Sequence, residues 1–407
     1  MQLHDLEEAF KEVMDVRAPW KVQDVQIFHK NKVVEVFIGF ERGSKFPCQV
    51  CGEMCNVHDS AAHRWRILDF IDYRCYITVK VPRTKCPDHN VLILKETPWG
   101  RMGSHYSFMF EQQIMNLCPE MSMSAMSKHL GEPDSNLWRV FKYYVDKAVH
   151  RQLDLSNVRR VAVDEKSHRR GHVYVSIFSD LDTGNVICVR EGRKKEVFSE
   201  FKGWLIHKQG LPENIELFSM DMSVSYKAGR AEYFKHSVEV FDRFHVKKPL
   251  NEAVDKVRRK EVLHCEELKR TKYIWLKKPS RLTTHQEDRL NDFLRESTTL
   301  TAQAYQMKVA FDQLWEVHPY TAEQLLNNWL HIAVQSGIKP ILTFVNLVKN
   351  NFGGILRSIK TGLTNALAEG INSKIQTAKA RAKGFRNMDN FRAMIYFLGN
   401  DFDFNYR

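Results

Sequence analysis

Long apolar runs are missing from this 407-residue chain. No stretch approaches the roughly 20 apolar residues of a membrane-spanning helix, so no membrane partner is expected. A secretory leader is missing too, since the opening MQLHDLEEAF is acidic and amphipathic. Internal repeats and low-complexity tracts are absent, which excludes a repeat architecture. Acids are in deficit: 49 Asp and Glu face 61 Lys and Arg, for a net charge of +12. That surplus favours a polyanionic partner, nucleic acid first, and says nothing of fold. With no leader, the eight cysteines are expected in a reducing cytoplasm, where metal ligation is the better expectation than disulfides.

What is present is ordinary in bulk: 43% apolar and 27% charged residues, with length for two to four domains. Residues 1–16 suggest a short amphipathic helix. VQDVQIFHKNKVVEVFIGFE alternates on either side of His29-Lys30-Asn31 and predicts a hairpin. Tyr73, Cys75, Ile77, Val79 and Val81 alternate with polar residues as one strand would. From Tyr106 to about Arg151 the period becomes helical. MSMSAMSKHLGEPDSNLWRVFKYYVDKAV gives a short helix, the turn Gly131-Glu132-Pro133, and a longer helix capped near Asp134 or Ser135. This is helix-turn-helix spacing; the plainer reading is a helical linker bundle.

Residues 158–246 return to strands. Strands 158–164, 172–181 and 186–190, with the turn Asp182-Thr183-Gly184-Asn185, predict an antiparallel meander. Helix 195–208 follows, then the strand IELFSMD ending at Asp221, a helix over 224–235, and the strand SVEVFDRFHV. Three strands, helix, strand, helix, strand is the order of an RNase H-like mixed sheet. From 247 to about 350 the chain reads as helical and basic, LNEAVDKVRRKEVLHCEELKRTKYIWLKK being one helix or two. No strand signal appears before Gly353-Gly354, and TNALAEGINSKIQTAKARAKGFRNMDNFRAMIYFL is helical again.

Two constellations carry chemistry. Cys48-x-x-Cys51 and Cys86-x-x-His89 form two knuckle-like pairs, flanked by Pro47 and Pro87, and a strand pair is expected to fill the long gap between them. Three thiolates and an imidazole make a closed tetrahedral set for a structural Zn²⁺, with Cys55 and His58 as rival fourth ligands. The second constellation is acidic. Asp164 and Asp221 end strands that this order places side by side. Glu369 lies on a helical stripe with Asn365, Asn372 and Gln376, opposite Leu367, Ile371, Ile375 and Ala378. A buried helix showing a glutamate between amides is poor packing but sensible metal chemistry. Gly370 would let a DNA backbone or a neighbouring strand come close. Basic residues flank the acids: Arg169 and Arg170 after Asp164; Lys374, Lys379, Arg381, Lys383 and Arg386 after Glu369. Alone each run is a solvated face. Beside carboxylates that hold Mg²⁺ or Mn²⁺, they are where phosphates would lie. In FDRFHV, Asp242 and His245 stand at a strand end as catalytic support; a purely structural histidine is the equal alternative. Glu165, next to Asp164, points to the other face of its strand and is read as supporting or structural.

At these residues the chain resembles the bacterial insertion-sequence transposases of the ISL3 type, which have a DDE catalytic domain. The resemblance rests on VAVDEKSHRRGHVYVSIFSDLDTGNVICVREGR, SMDMSVSYKAG, VFDRFHVKKPLNEAVDKVRR and TNALAEGINSKIQTAKARAKGFRNMDNFR, with the cysteine motif and the helix-turn-helix region. His89 is the one departure, standing where a cysteine would also be expected. The resemblance implies Asp164, Asp221 and Glu369 as the catalytic triad, and the helices between Asp221 and Glu369 as an insertion. The expected fold is therefore α+β and multidomain. A zinc-ribbon-like hairpin domain (1–100) and a helix-turn-helix region (101–152) precede the RNase H-like core (153–246), its all-helical insertion (247–355) and the C-terminal core helices (356–407). Implied partners are DNA, as terminal inverted repeats and target, and a second copy of the chain or a higher oligomer. The implied place is the bacterial cytoplasm, at the nucleoid. Three carboxylates holding two Mg²⁺ about 3.5–4 Å apart would promote attack by water and then by a 3′ hydroxyl. Two rivals stand beside this reading. A zinc and helix-turn-helix regulator with an inactive core explains the charge and the cysteines but not the acids. A host nuclease acting on hybrid duplexes explains the acids but not the N-terminal domains.

Overall fold

The structure is a computed structural model and describes residues 3–169, 173–296 and 299–406. It divides into two compact units, residues 1–148 with 402–407, and residues 149–401.

The first unit opens with α1 (Leu3–Val13), followed by the expected hairpin of β1 (Trp20–Phe28) and β2 (Val33–Phe40) around His29–Asn31. Then come β3 (Lys45–Pro47), β4 (Met54–Arg66), β5 (Arg74–Cys86) and β6 (Asn90–Ile93). The sheet order is β1-β2-β5-β4-β3, with β6 also on β5. Alternate residues of β5, Cys75, Ile77, Val79 and Val81, are buried with Val36, Ile38 and Trp65. Each such aliphatic side chain removed from water contributes about 1.5–3 kcal/mol. Three helices follow: α2 (Phe108–Leu117), α3 (Met123–Leu130) and α4 (Asp134–Gln152). Ser107 and Ser122 cap α2 and α3 at their N-termini, and Gly131, at φ 64°, closes α3 in the left-handed conformation. The turn expected at 131–133 is therefore present.

Two buried charges organise this unit. Glu111 of α2 is fully buried; it accepts hydrogen bonds from Arg101 (2.8 and 3.2 Å), Ser104 Oγ (2.6 Å) and Tyr144 Oη of α4 (2.6 Å). Arg66, at the end of β4, donates to the Leu130 carbonyl (2.7 Å), to Asp69 (2.9 and 3.1 Å) and to Glu132, which Tyr106 Oη also holds (2.7 Å). The sheet thus grips the turn between α3 and α4 through one guanidinium.

The second unit is built on β7 (Arg160–Arg169), β8 (Val173–Asp180), β9 (Val186–Glu191), α5 (Glu196–His207), β10 (Leu217–Met220), α6 (Val224–Tyr233) and β11 (Val238–Phe241). The five-stranded order is β11-β10-β7-β8-β9. The meander β7-β8-β9 is antiparallel, and β10 and β11 run parallel to β7. The turn between β8 and β9 is held by Asp180, which accepts from the Asp182 N–H (3.1 Å) and from Thr183 Oγ1 (2.8 Å), with Gly184 at φ 80°. One sheet face is packed by α5 and α6 through Phe178, Phe198, Phe201, Phe218 and Tyr226.

Helices α7 (Arg243–Glu261), α8 (Lys272–Leu276), α9 (Thr284–Glu296), α10 (Leu300–Gln313), α11 (Ala322–Gln335), α12 (Lys339–Asn350) and α13 (Phe352–Thr361) follow, then α14 (Ala366–Arg381) and α15 (Met388–Leu398). The core of α7–α13, around Trp275, Phe311, Trp329 and Phe344, is continuous with Phe241 at the sheet edge. Gly353 and Gly354 do not break the chain there; both lie inside α13. A Cβ on Gly354 would come within 2.4 Å of the Phe241 ring, so the glycine permits the close approach of helix to strand. The last helix covers β9: Tyr396 Oη accepts from the Val189 N–H (3.2 Å), and the Gly399 carbonyl accepts from the Val186 N–H (3.0 Å).

Three strand ends differ from the sequence expectation, among them that of IELFSMD, since β10 stops at Met220, one residue before Asp221. The first strand does not stop at Asp164 but continues to Arg169, because β8 pairs with it along that length. The last strand stops at Phe241, and Asp242 becomes the N-cap of α7, its Oδ1 accepting from the Phe244 N–H (2.6 Å). β4 is the second member of the strand pair expected between the two cysteine motifs; its sequence is mixed, and pairing with β5 sets its bounds. Among the described residues no helix is long and apolar enough to cross a membrane.

Candidate active site and metal centre

The parallel pairing of β10 with β7 sets Leu217 opposite Arg160, Phe218 opposite Val161 and Ser219 opposite Ala162. The pairing ends there; β10 stops at Met220, and Asp221 is the residue that follows it. Alternation assigns the faces. Val161 and Val163 point into the core under α5 and α6, and Glu165 shares their side. Asp164 therefore points to the opposite face, as Ser219 does. Across that face lies α14. Its N-cap Asn365 accepts from Ser219 Oγ (2.8 Å) and donates to Asp242 Oδ2 (2.6 Å), and Asn372 Nδ2 donates to Asp164 Oδ2 (2.6 Å).

Asp164 is fully engaged. Its Oδ1 accepts from the Glu165 N–H (2.8 Å), and Lys166 Nζ stands 2.8 Å from Oδ2. Asp221 Oδ1 accepts from the Ser223 N–H (2.9 Å) at the start of α6. Burial pushes the Glu165 carboxyl above its ordinary range; Arg193 opposes the shift, and the negative Asp221 and Asp164 add to it. Tyr226 lies in the same field. Burial drives its phenol well up, opposed by a hydrogen bond with Ser176, and Glu165, Asp221 and Asp164 raise it further. His245, in the first turn of α7, is half-buried and lowers the Glu165 carboxyl. Asp164, Asp221 and Glu165 thus sense one another's charge, with the Lys166 ammonium against one Asp164 oxygen, but among the described residues the carboxylates form no group close enough to hold a metal ion as they stand.

Glu369 is exposed on α14, its N–H donating to the Asn365 carbonyl (2.7 Å). Spacing sets it on the stripe between Asn365 and Asn372. The helix is not buried as expected: Ile375 is its one buried residue. A Cβ on Gly370 would meet nothing within 4 Å, so no neighbouring strand comes close there. Of the basic residues expected at phosphates, Lys374, Arg381, Lys383 and Arg386 are exposed, whereas Lys379 Nζ donates to the Ser167 carbonyl. Arg169 ends β7, and Arg170 lies outside the described residues. Sequence reasoning missed the Lys166 ion pair; its signal was the two-residue spacing that puts Lys166 on the Asp164 face.

The cysteine motif closes as a cluster in the first unit. Cys48, Cys51, Cys86 and His89 offer ligand atoms within 4.8 Å of one another, and among the described residues this is the one such His, Cys, Asp and Glu group. Cys51 and Cys86 Sγ are 3.8 Å apart; His89 Nδ1 is 3.4 Å from Cys86 Sγ and 3.9 Å from Cys48 Sγ. A tetrahedral centre with Zn–S about 2.3 Å and Zn–N about 2.0–2.1 Å has edges of about 3.8 Å between sulfurs and about 3.6 Å between sulfur and nitrogen. The residues fit a zinc ion. The hydrogen bond with His89 brings the Cys86 thiol down to about 6. Cys55 lies buried beside the cluster and His58 pairs with Asp59 at 3.3 Å; neither belongs to the set.

Comparison with known proteins adds an independent finding. Residues 161–395, a stretch that includes Asp164, Asp221 and Glu369, match the profile of the DDE transposases of ISL3 type, described as "Transposase". Residues 96–145 match the "Helix-turn-helix domain of transposase family ISL3". The transposase for insertion sequence element IS1001 of Bordetella parapertussis is 27% identical over 360 residues, covering 84% of this chain and 86% of that protein. The transposase for insertion sequence element IS1557 of Mycobacterium tuberculosis is 22% identical over 377 residues, covering 84% and 82%.

Proposed function

The chain belongs to the ISL3 family of transposases and is a DNA transposase of an insertion sequence, and from that premise we propose that Asp164, Asp221 and Glu369 are its catalytic carboxylates. The observation that supports this is that Asp164 lies on β7 and Asp221 directly follows β10, its parallel neighbour, with the Glu369 helix tied to these strands by Asn365 on Ser219 and Asn372 on Asp164. The strand order, with two parallel strands added beside a three-stranded meander, supports reading this unit as an RNase H-like core.

In this reading Asp164, Asp221 and Glu369 would hold Mg²⁺ (or Mn²⁺), which would supply Lewis acidity at phosphorus and a lowered pKa for the attacking water or 3′ hydroxyl. The chain's own residues orient and neutralise. Asn372 and the Glu165 N–H fix the Asp164 carboxylate. Lys166 balances its charge. Arg169, Arg170, Lys374, Lys383 and Arg386 receive the DNA backbone. Asp242 holds Asn365, and His245 stands by as support for the acids. No covalent enzyme intermediate is needed. Zn²⁺ on Cys48, Cys51, Cys86 and His89 is structural, fixing the sheet that grips the helix-turn-helix. Pairing two element ends calls for at least a dimer on DNA, at the nucleoid.

The test is purified protein with element-end DNA and Mg²⁺ or Mn²⁺. Wild type should cut and join. Asp164→Asn, Asp221→Asn and Glu369→Gln should each lose about 10³-fold or more in rate and still bind the ends. Product from Asp164→Asn at the wild-type rate would sink the assignment. End binding with no product from wild type would favour a regulator with an inactive core.

A further inference from the structure

The helix that carries Glu369 is held in an unusual way. Of the 16 residues of α14 only Ile375 is buried, whereas α15 buries Phe391, Ala393, Met394, Ile395 and Tyr396. What α14 has instead is a polar edge. Asn365, Asn372 and Lys379 recur every seven residues, two helical turns apart, and all three reach the sheet: Asn365 to Ser219 and Asp242, Asn372 to Asp164, Lys379 to the Ser167 carbonyl. The middle bond joins the helix directly to the first acid. Glu369 stands one turn after Asn365 and one turn before Asn372.

We propose that Asn372 is a positioning residue that couples the docking of α14 to the Asp164 carboxylate, so that Glu369 is presented only while the Asn372–Asp164 bond is made. The inference rests on the reading of Glu369 as a metal ligand. Both Asn372 and Lys166 address Oδ2 of Asp164. A divalent cation held by Asp164 would compete with the ammonium, a like charge, and not with the neutral amide. A hydrogen bond to a charged group shifts an equilibrium by about 10–100-fold. Removing such an outer partner of a ligating carboxylate typically weakens metal affinity by about 10–100-fold. An apolar helix–sheet interface would fix Glu369 permanently. A polar one opens locally at low cost.

The experiment uses the full chain without DNA and has two readouts: amide exchange over residues 366–381, and the Mn²⁺ dissociation constant by electron paramagnetic resonance. Asn372→Ala should speed exchange of α14 and weaken Mn²⁺, each by about 10–100-fold, with exchange in α15 unchanged. Asn372→Gln keeps the amide and should recover part of both losses. Glu369→Gln should weaken Mn²⁺ without touching α14 exchange. Unchanged exchange in Asn372→Ala overturns the proposal. So does faster exchange with unchanged Mn²⁺ affinity, since Asn372 would then only dock the helix. If instead Glu369→Gln leaves Mn²⁺ affinity unchanged, the triad assignment fails, whatever Asn372 does.

Discussion

Replacing Cys86 by serine removes one corner of the metal tetrahedron and should reduce bound zinc from about one per chain to near none. The structure also bounds the damage. Structural zinc supplies about 10–16 kcal/mol of apparent binding free energy in small peptides, more than a domain's whole stability of about 5–15 kcal/mol. Here that energy is spent locally. The ligands come from the loop after β3 and from the turn between β5 and β6, whose partner strands are three and four residues long. The apolar cover of these pieces is thin, Phe46 being buried and Leu92 part-buried. Each such side chain supplies about 1.5–3 kcal/mol at most, which is too little to hold the ends without metal. The main sheet keeps its own core around Trp65, Ile77 and Val79. Cys86→Ser should therefore lose amide protection over β3, the 48–55 loop and β6, while β2 and the middle of β5 stay protected. Zinc content by elemental analysis and exchange by mass spectrometry read the two halves. Cys55→Ser and His58→Ala should keep zinc; His89→Ala should lose it. Zinc retained by Cys86→Ser, or lost from Cys55→Ser with the fold intact, would refute the assigned ligand set.

Two neighbouring glycines in α13 should behave oppositely. Gly354→Ala drives a methyl to 2.4 Å from the Phe241 ring and should cost about 1–3 kcal/mol in denaturant unfolding. Gly353→Ala meets only the flexible Arg357 guanidinium at 3.4 Å and should be neutral or stabilising by up to about 1 kcal/mol. Arg66→Met leaves Glu132 and the Leu130 carbonyl without their guanidinium and should cost about 3–5 kcal/mol, read as thermal unfolding of the first unit with weaker end binding. Alanine at Lys374, Lys383 or Arg386 should lower end affinity for all sequences alike and flatten the slope of log affinity against log salt by about 0.9 for each phosphate no longer neutralised; an unchanged slope would remove that residue from the DNA path.

Much of this fold was legible because local signals agreed with the tertiary outcome. The hairpin around His29–Asn31, the meander closed at Asp182–Asn185 and the helices around Gly131 all combine strong periodicity with turn chemistry that permits one geometry. β4 was legible only as the unplaced partner in a strand pair between the cysteine motifs. Met54–Arg66 is mixed in sequence, and pairing with β5 sets its bounds. The end of β7 was misplaced because an acid after an apolar run looks like a terminus, whereas pairing to β8 carries the backbone on to Arg169. The face of α14 was read from the rule that an apolar stripe is buried. Leu367 is more than half exposed, however, and the amide edge meets the sheet instead. Sequence alone placed Glu369, Asn365 and Asn372 on one stripe; only the structure says which stripe faces the acids.

The acids are positioned by two different kinds of device. Asp164 is set by backbone pairing with β8, and Asp221 by its place directly after β10 and the bond from the Ser223 N–H. Glu369 arrives after a long helical detour, and that detour is anchored: Phe241 belongs to its core, and α13 is fixed to β11 by Arg357, which donates to the Glu239 carbonyl at 2.7 Å and to its carboxylate at 3.0 Å. Rigidity therefore extends to Thr361. The next residue, Gly362, closes α13 at φ 61° with nothing within 4 Å of a built Cβ. The corner between the anchored helix and the hydrogen-bonded one rests on a glycine whose conformation, not its space, is special. Gly362→Ala should thus cost about 1–2 kcal/mol through backbone strain alone, and the strain should show as faster exchange at residues 362–366 rather than in the α7–α13 core. Gly362→Asn, which tolerates the left-handed region better, should recover most of the loss. Equal losses for alanine and asparagine would mean that this corner is held by packing and not by the left-handed turn.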